Sequence, residues 1–187
     1  MKETEAIRRC QDGESGAFRF VVERYGKVLH GTAYMMTRDR SLAEDLVQEA
    51  FLLAWRNILG FKPGTNLKAW LLRILVNRTI SEQRKKRVTQ IELEEGVAAL
   101  SDPDQVEELI LRNVERERIR RALETLPPDQ RQAVVLRYYA ELTAPEIAQT
   151  LGWREGTVKS RLHRAMARLR PLLYEEDVQT GSVSDTA

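Results

Sequence analysis

The stretch from Leu142 to Arg170, LTAPEIAQTLGWREGTVKSRLHRAMARLR, limits what this chain can fold into more than any other, because its punctuation admits two short helices and one tight turn. Thr143 followed by Glu146 is a capping box, and Pro145 sits in the first turn, where a missing N–H is harmless. Ile147, Ala148 and Leu151 give the first helix an apolar edge, and Gly152 is placed to take the left-handed conformation that ends it. The second helix starts near Arg154 and repeats Val158, Leu162, Ala165 and Leu169 at helical spacing. Its other faces carry Thr157, Lys159, Ser160, Arg161, His163, Arg164, Arg168 and Arg170. A helix pair with a basic second member is the helix-turn-helix arrangement, which lays that second helix in the major groove. A solvated basic helix of an all-α protein shares part of this pattern; cap, turn, stripe and basic face together favour duplex DNA.

The net charge of +2 hides a division by segment. From Lys68 to Val88 the chain holds Lys68, Arg73, Arg78, Arg84, Lys85, Lys86 and Arg87 against Glu82, while Gln90 to Glu117 is strongly acidic. Two basic patches flanking an acidic middle suit a nucleic-acid binder. The balance of 42% hydrophobic and 31% charged residues fits a soluble globular chain of one domain or two small ones. No run approaches the ~18 apolar residues of a membrane span, and MKETEAIRRCQDGES lacks the apolar stretch of a signal peptide, so no membrane insertion and a cytoplasmic location are expected. With Cys10 as its one cysteine, the chain excludes an internal disulfide and a cysteine-based zinc cluster.

Helical signals run throughout. Ser15 is placed to cap a helix through Phe18, Val21, Tyr25, Leu29, Ala33 and Met36, ended by Arg38-Asp39-Arg40. Ser41 with Glu44 reads as a capping box for the next helix, closed by Gly60. Phe61 to Asn66 is a Pro-Gly loop, with Asn66 or Thr65 capping a helix that ends in Arg84-Lys85-Lys86-Arg87. These residues predict an all-α protein of two small helical domains: 1–87, a flexible acidic linker over 88–103, a second unit over 104–172 stopped by Pro171, and a disordered acidic tail over 173–187.

Two further stretches bear on function. On one helix Asp45, Gln48, Glu49 and Leu52 share a side, an acidic edge beside the aromatics Phe51 and Trp55, which suits a protein contact and equally suits a solvated face over two core aromatics. A metal reading of Asp45 and Glu49 finds no Glu-x-x-His partner, and neither a metal nor a cofactor is expected. Trp70, Arg73, Asn77 and Arg78 lead into the basic run Arg84 to Arg87; the cations suit phosphates and the tryptophan suits either base stacking or the core.

DLVQEAFLLAW, FKPGTNLKAWLLRILVN and EIAQTLGWREGTVKSRLHRA, in that order around an acidic linker, resemble the extracytoplasmic-function (group IV) sigma factors of bacterial RNA polymerase, members of the sigma-70 family. The resemblance covers roughly residues 15–172 and implies two helical domains, regions 2 and 4. It implies that Asp45, Gln48, Glu49, Phe51 and Trp55 dock on the clamp coiled coil of the largest polymerase subunit, with region 4 on the flap of the second-largest. It implies that Phe61, Lys62, Asn66, Trp70, Arg73 and Asn77, with the basic run Arg84, Lys85, Lys86 and Arg87, open the minus-10 element and hold its separated strand. Thr157, Lys159, Ser160, Arg161, His163 and Arg164 match the recognition helix for the duplex minus-35 element. The linker matches the segment that threads the RNA channel, and an anti-sigma factor is implied as a further partner. Ala144-Pro145 and Met166 depart from the common pattern. The expected function is a non-enzymatic specificity subunit that binds core polymerase and melts stress-type promoters. A conventional helix-turn-helix regulator acting without sigma activity is the alternative; an enzyme would need a nucleophile, an acid–base pair or a ligand cluster, and none has convincing spacing.

Overall fold

The computed structural model describes residues 2–90 and 117–174, side chains at 86–90 and 174 excepted. The described residues form helices and turns with no strand: α1 (Glu3–Gln11), α2 (Phe18–Thr37), α3 (Arg40–Arg56), α4 (Leu67–Gln90), α5 (117–124), α6 (Pro128–Val134) running into a π-helical turn (Val135–Tyr139), α7 (Ala144–Leu151) and α8 (Glu155–Tyr174). The acidic stretch expected as a linker and the acidic tail after Tyr174 lie outside the described residues, apart from the start of that linker, where α4 continues to Gln90.

The first unit packs α2, α3 and α4 on one another, with α1 laid across α2. Val21, Tyr25, Leu29, Ala33 and Met36 of α2 meet Leu46, Ala50 and Ala54 of α3 and Leu71, Leu72, Leu75 and Val76 of α4, all buried, as their spacing requires. The helix α1 is absent from the sequence reading, although Ala6, Ile7 and Cys10 form a short buried stripe, with Glu3 and Glu5 at its start and Arg8 and Arg9 at its end, as the helix dipole favours.

Several boundaries differ from expectation. Ser15–Ala17 is a 3₁₀ turn and α2 begins at Phe18 without a side-chain cap. Arg38 takes the left-handed conformation (φ 62°) to end α2, which leaves Asp39 extended at the next N-cap, its Oδ1 accepting from Leu42 N–H at 3.0 Å. Ser41 therefore lies inside α3, and Glu44 pairs with Arg40 instead. Pro171 does not stop α8; it sits near the end of the helix, where the backbone hydrogen bond it cannot donate is the one to exposed Ala167. The last carbonyls of α8 are met by Arg118 of α5, whose Nη2 donates to Leu173 O at 2.6 Å.

In the second unit Pro127-Pro128 breaks the chain after α5, and Pro128 occupies the first turn of α6. Thr143 and Glu146 form the expected capping box, and Gly152 is left-handed at φ 68° after α7. The core is built from Leu123, Leu126, Val134, Leu136, Leu142, Ile147, Val158, Ala165 and Leu169.

Candidate nucleic-acid interface

The second helix of the helix-turn-helix has two faces with different jobs. Lys159, Ser160, His163 and Arg164 are exposed on one side, Thr157 is half-buried at the start, and Arg168 and Arg170 extend the basic face. Arg164 Nε donates to Ser160 O at 3.3 Å and the Ser160 hydroxyl to Thr157 O at 3.0 Å, contacts within α8 that leave donors pointing outward. Arg161 differs. Its guanidinium lies 3.8 Å from the ring centroid of Trp153 and its Nε is 2.9 Å from Asp129 Oδ2 on α6. A cation stacked on indole and paired with a carboxylate is held in place, and Nη1, buried without a hydrogen-bond partner among the described residues, rests in this clasp. Arg161 thus ties the turn, α6 and α8 together.

The second basic surface starts at the loop before α4. Lys62, Asn66, Arg73, Asn77, Arg84 and Lys85 are exposed. Asn66 caps α4, its Oδ1 accepting from Ala69 N–H at 3.1 Å, which fixes the exit of the Pro-Gly loop. Phe61 is 3% exposed and packs 5.1 Å from the half-buried Trp70 ring, so it supports the loop from beneath and offers no surface to a base. The loop's other end is fastened by Gln11 of α1, whose Nε2 donates to Ile58 O and Phe61 O, both at 2.9 Å. Sequence reasoning missed Gln11 because it missed α1. Lys86 and Arg87 lie on α4, with side chains outside those described.

On α3, Asp45 and Gln48 are exposed together with Leu52, a large apolar side chain that is 58% exposed. Glu49 turns toward α4, pairing with Arg78 Nη2 at 2.5 Å. Phe51 is buried and Trp55 half-buried, both edge-on to Phe18 at 6.2 and 5.5 Å. Of the aromatics expected at a protein contact, one is core and the other props it. Among the described residues there is no cluster of three or more potential metal ligands and no helix long and apolar enough to cross a membrane.

Residues 21–89 match the family described as Sigma-70 region 2, and residues 116–169 match Sigma-70, region 4. The chain is 38% identical over 161 residues to the ECF RNA polymerase sigma factor EcfG of Rhodopseudomonas palustris (strain TIE-1), covering 84% of this chain and 86% of that one. This chain belongs to the extracytoplasmic-function sigma factors. The sigma factor is also 33% identical over 182 residues to SigW of Bacillus subtilis (strain 168), covering 90% of this chain and 95% of SigW. A solved structure of the sigma factor RpoE in complex with the anti-sigma factor NepR from Bartonella quintana superposes with a TM-score of 0.71 at 33% identity, covering 83% of this chain and 96% of that one. The sigma factor thus has the two-domain all-α architecture its sequence predicts, and an RNA polymerase sigma function rather than that of a conventional regulator.

Proposed function

We propose that this sigma factor brings core RNA polymerase to stress-type promoters by reading the minus-35 element as duplex and the minus-10 element as a separated strand. The observation that supports this reading is the presence of two separate outward basic faces, Lys159, Ser160, His163 and Arg164 on α8 and Lys62, Asn66, Arg73 and Asn77 around the start of α4. The α8 face suits groove readout, in which Arg or Lys contacts guanine edges and phosphates. The α4 face suits strand capture: cations hold phosphates, and Trp70, propped by Phe61, borders the loop that would receive an unstacked base. Holding only the separated strand shifts the equilibrium toward melting without any chemistry on the DNA. The protein acts as a non-enzymatic subunit in the cytoplasm.

Asp45, Gln48 and Leu52 form the surface for the clamp coiled coil of the largest subunit, a polar rim around one exposed apolar anchor, with Glu49 fixing α3 to α4 behind it. Region 4 meets the flap of the second-largest subunit. An anti-sigma factor restrains the protein, a reading supported by the neighbour solved with NepR. The domain division is 1–87 and 104–172, with 88–103 as a linker through the RNA channel and 173–187 as a tail. Abortive transcription with purified core polymerase on randomised promoters tests the function: initiation selected at a two-part motif is expected, whereas duplex binding without initiation would overturn it.

A further inference from the structure

The loop that carries the minus-10 face is held from outside the segment that matches region 2. That match runs over residues 21–89, and α1 precedes it. Gln11, the last residue of α1, gives its Nε2 to Ile58 O and Phe61 O, each at 2.9 Å, across 47 and 50 positions of sequence. Both partners are carbonyl oxygens, which only accept, so the amide nitrogen must face them and both of its protons are used. Few side chains can replace it here: glutamate and methionine bring no donor at neutral pH, and asparagine is one carbon shorter.

Burial decides which partner holds the other. Ala6, Ile7 and Cys10 seat α1 in the core, and its first turn is fastened to α2, where the Tyr25 hydroxyl donates to Glu3 and Arg24 stands 3.5 Å from the same carboxylate. The loop has no such seat. From Lys62 to Asn66 every residue is exposed and Gly64 is left-handed at φ 90°. The tie inside the loop is Thr65, whose N–H and hydroxyl donate to Lys62 O at 3.2 and 2.8 Å. Asn66 closes the far end by capping α4, and its Nδ2 makes an interdomain contact with Glu146 Oε1 of α7 at 2.5 Å. At the near end the chain leaves the 3₁₀ turn Ile58–Gly60 through Phe61, whose N–H donates to Ile58 O at 3.1 Å. Gln11 grips that turn on both sides. The Phe61 ring beneath supports Trp70 at 5.1 Å, so a shift of the Phe61 backbone moves the support of the tryptophan as well.

We propose that Gln11 is a positioning residue for strand capture: α1 is the fixed post, and the Gln11 amide sets where the loop and Trp70 stand to receive the separated minus-10 strand. The proposal rests on the reading of that loop as the minus-10 face. Gln11 acts through the Phe61 backbone, since both of its amide protons are already committed. A loop with no buried residue of its own must be ordered each time a strand binds, and a loop already tied avoids that cost. Selectivity follows from the same tie, because a pocket that keeps its shape rejects a base that does not fit it, whereas a loose one yields. The recognition helix α8 is seated on residues of its own unit and should not respond.

The test is the removal of both donors. Gln11→Met keeps the length and helix propensity of the side chain and brings no N–H. Circular dichroism first verifies its fold; Gln11→Glu, isosteric with the parent and equally without a donor at neutral pH, takes its place if it does not fold. Parent and variant, each joined to core polymerase, are then carried through the same selection of initiating sequences from randomised promoters. Enrichment at the minus-35 element should stay within about twofold of the parent, while base discrimination at minus-10 should fall roughly fivefold or more, the size of one net hydrogen bond expressed as a ratio. Equal minus-10 discrimination in parent and variant would overturn the proposal. So would a parallel loss at both elements, or failure of both variants to fold, since either would make Gln11 a prop of the whole unit. Failure of the promoter reading shows separately, as a parent that selects no two-part motif before any variant is compared.

Discussion

Helices α4 and α8 are both long, both basic and both carry a proposed DNA face, yet they are anchored in opposite ways. Behind the face of α4 lie Leu71, Leu72, Leu75 and Val76, each 0% exposed, so the helix is seated mainly by apolar packing, with Arg78 paired to Glu49 at its flank, and leaves Arg73 and Asn77 outward. Among the described side chains of α8 only Val158, Ala165 and Leu169 are buried, and the helix recruits Arg161, through Trp153 and Asp129, to complete its seat. Residue type alone separates reading from holding on neither helix: Arg78 of α4 is held by Glu49 while Arg73 points outward, and α8 repeats the division more sharply. Arg161 and Arg164 are chemically identical and three positions apart, and only their surroundings distinguish them.

The contrast breaks most easily at the apolar seat. Leu75→Ala should cost about 2–5 kcal/mol, the usual range for emptying a fully buried leucine site, and should unfold much of region 2 in chemical denaturation. A cost below about 1 kcal/mol would mean that α4 is not anchored as described.

On α8 the comparison sharpens between the two arginines. Arg161→Ala should lose about 2 kcal/mol of stability, combining a cation–π contact with a partly exposed ion pair, and Arg161→Lys should recover only part because an ammonium cannot stack flat on indole. Arg164→Ala should stay within about 0.5 kcal/mol of the parent in thermal melts while lowering minus-35-dependent transcription roughly tenfold. Equal melting temperatures for the two alanine variants would remove the distinction.

A smaller effect is expected from the outward face of α4. Arg73→Ala and Asn77→Ala should leave stability within about 0.5 kcal/mol, and the arginine variant should reduce the salt dependence of strand binding by about one unit of slope. An unchanged slope would take Arg73 out of contact with phosphate.

The sequence was most informative where local chemistry decides structure. The Thr143–Glu146 box, Gly152 and the Asn66 cap are short-range devices, and each stands as its spacing predicts. Ser41 failed because Asp39 competes for the same role, and the left-handed Arg38, a feature of the tight α2–α3 connection, decides between them. The site was legible as a set of helix faces, but burial divided it further. Phe51 and Phe61 went to the core, since a four-helix unit of this size needs its large aromatics inside, whereas Leu52 stayed out. Gln11, Asp129 and Trp153 act across many residues of sequence, where periodicity carries no signal.

The smallest expected effect is one of pH, and it bears on whether the helix-turn-helix and the interdomain contact loosen together. Burial alone would push the Glu146 carboxyl up, but hydrogen bonds from the Thr143 N–H and hydroxyl and from the Asn66 amide, with Lys68 nearby, hold it below its ordinary value near 4.5. A carboxylate depressed in the folded state contributes stability that is fully present above its unfolded value and is lost as pH falls through the folded one. Descending below about pH 4.5 should therefore weaken the α7 cap and the Asn66 tie in one step. Glu146→Gln should remove this pH dependence, cost less than about 1 kcal/mol at neutral pH because an amide still accepts the capping hydrogen bonds, and leave Arg161 in its clasp. Amide exchange of α7 and α8 followed from pH 7 downward checks this. Protection lost in α7 before α8 is the expected order, since α8 also rests on buried Val158, Ala165 and Leu169 and on the Trp153 stack, whereas simultaneous loss would mean that the two helices open as one unit.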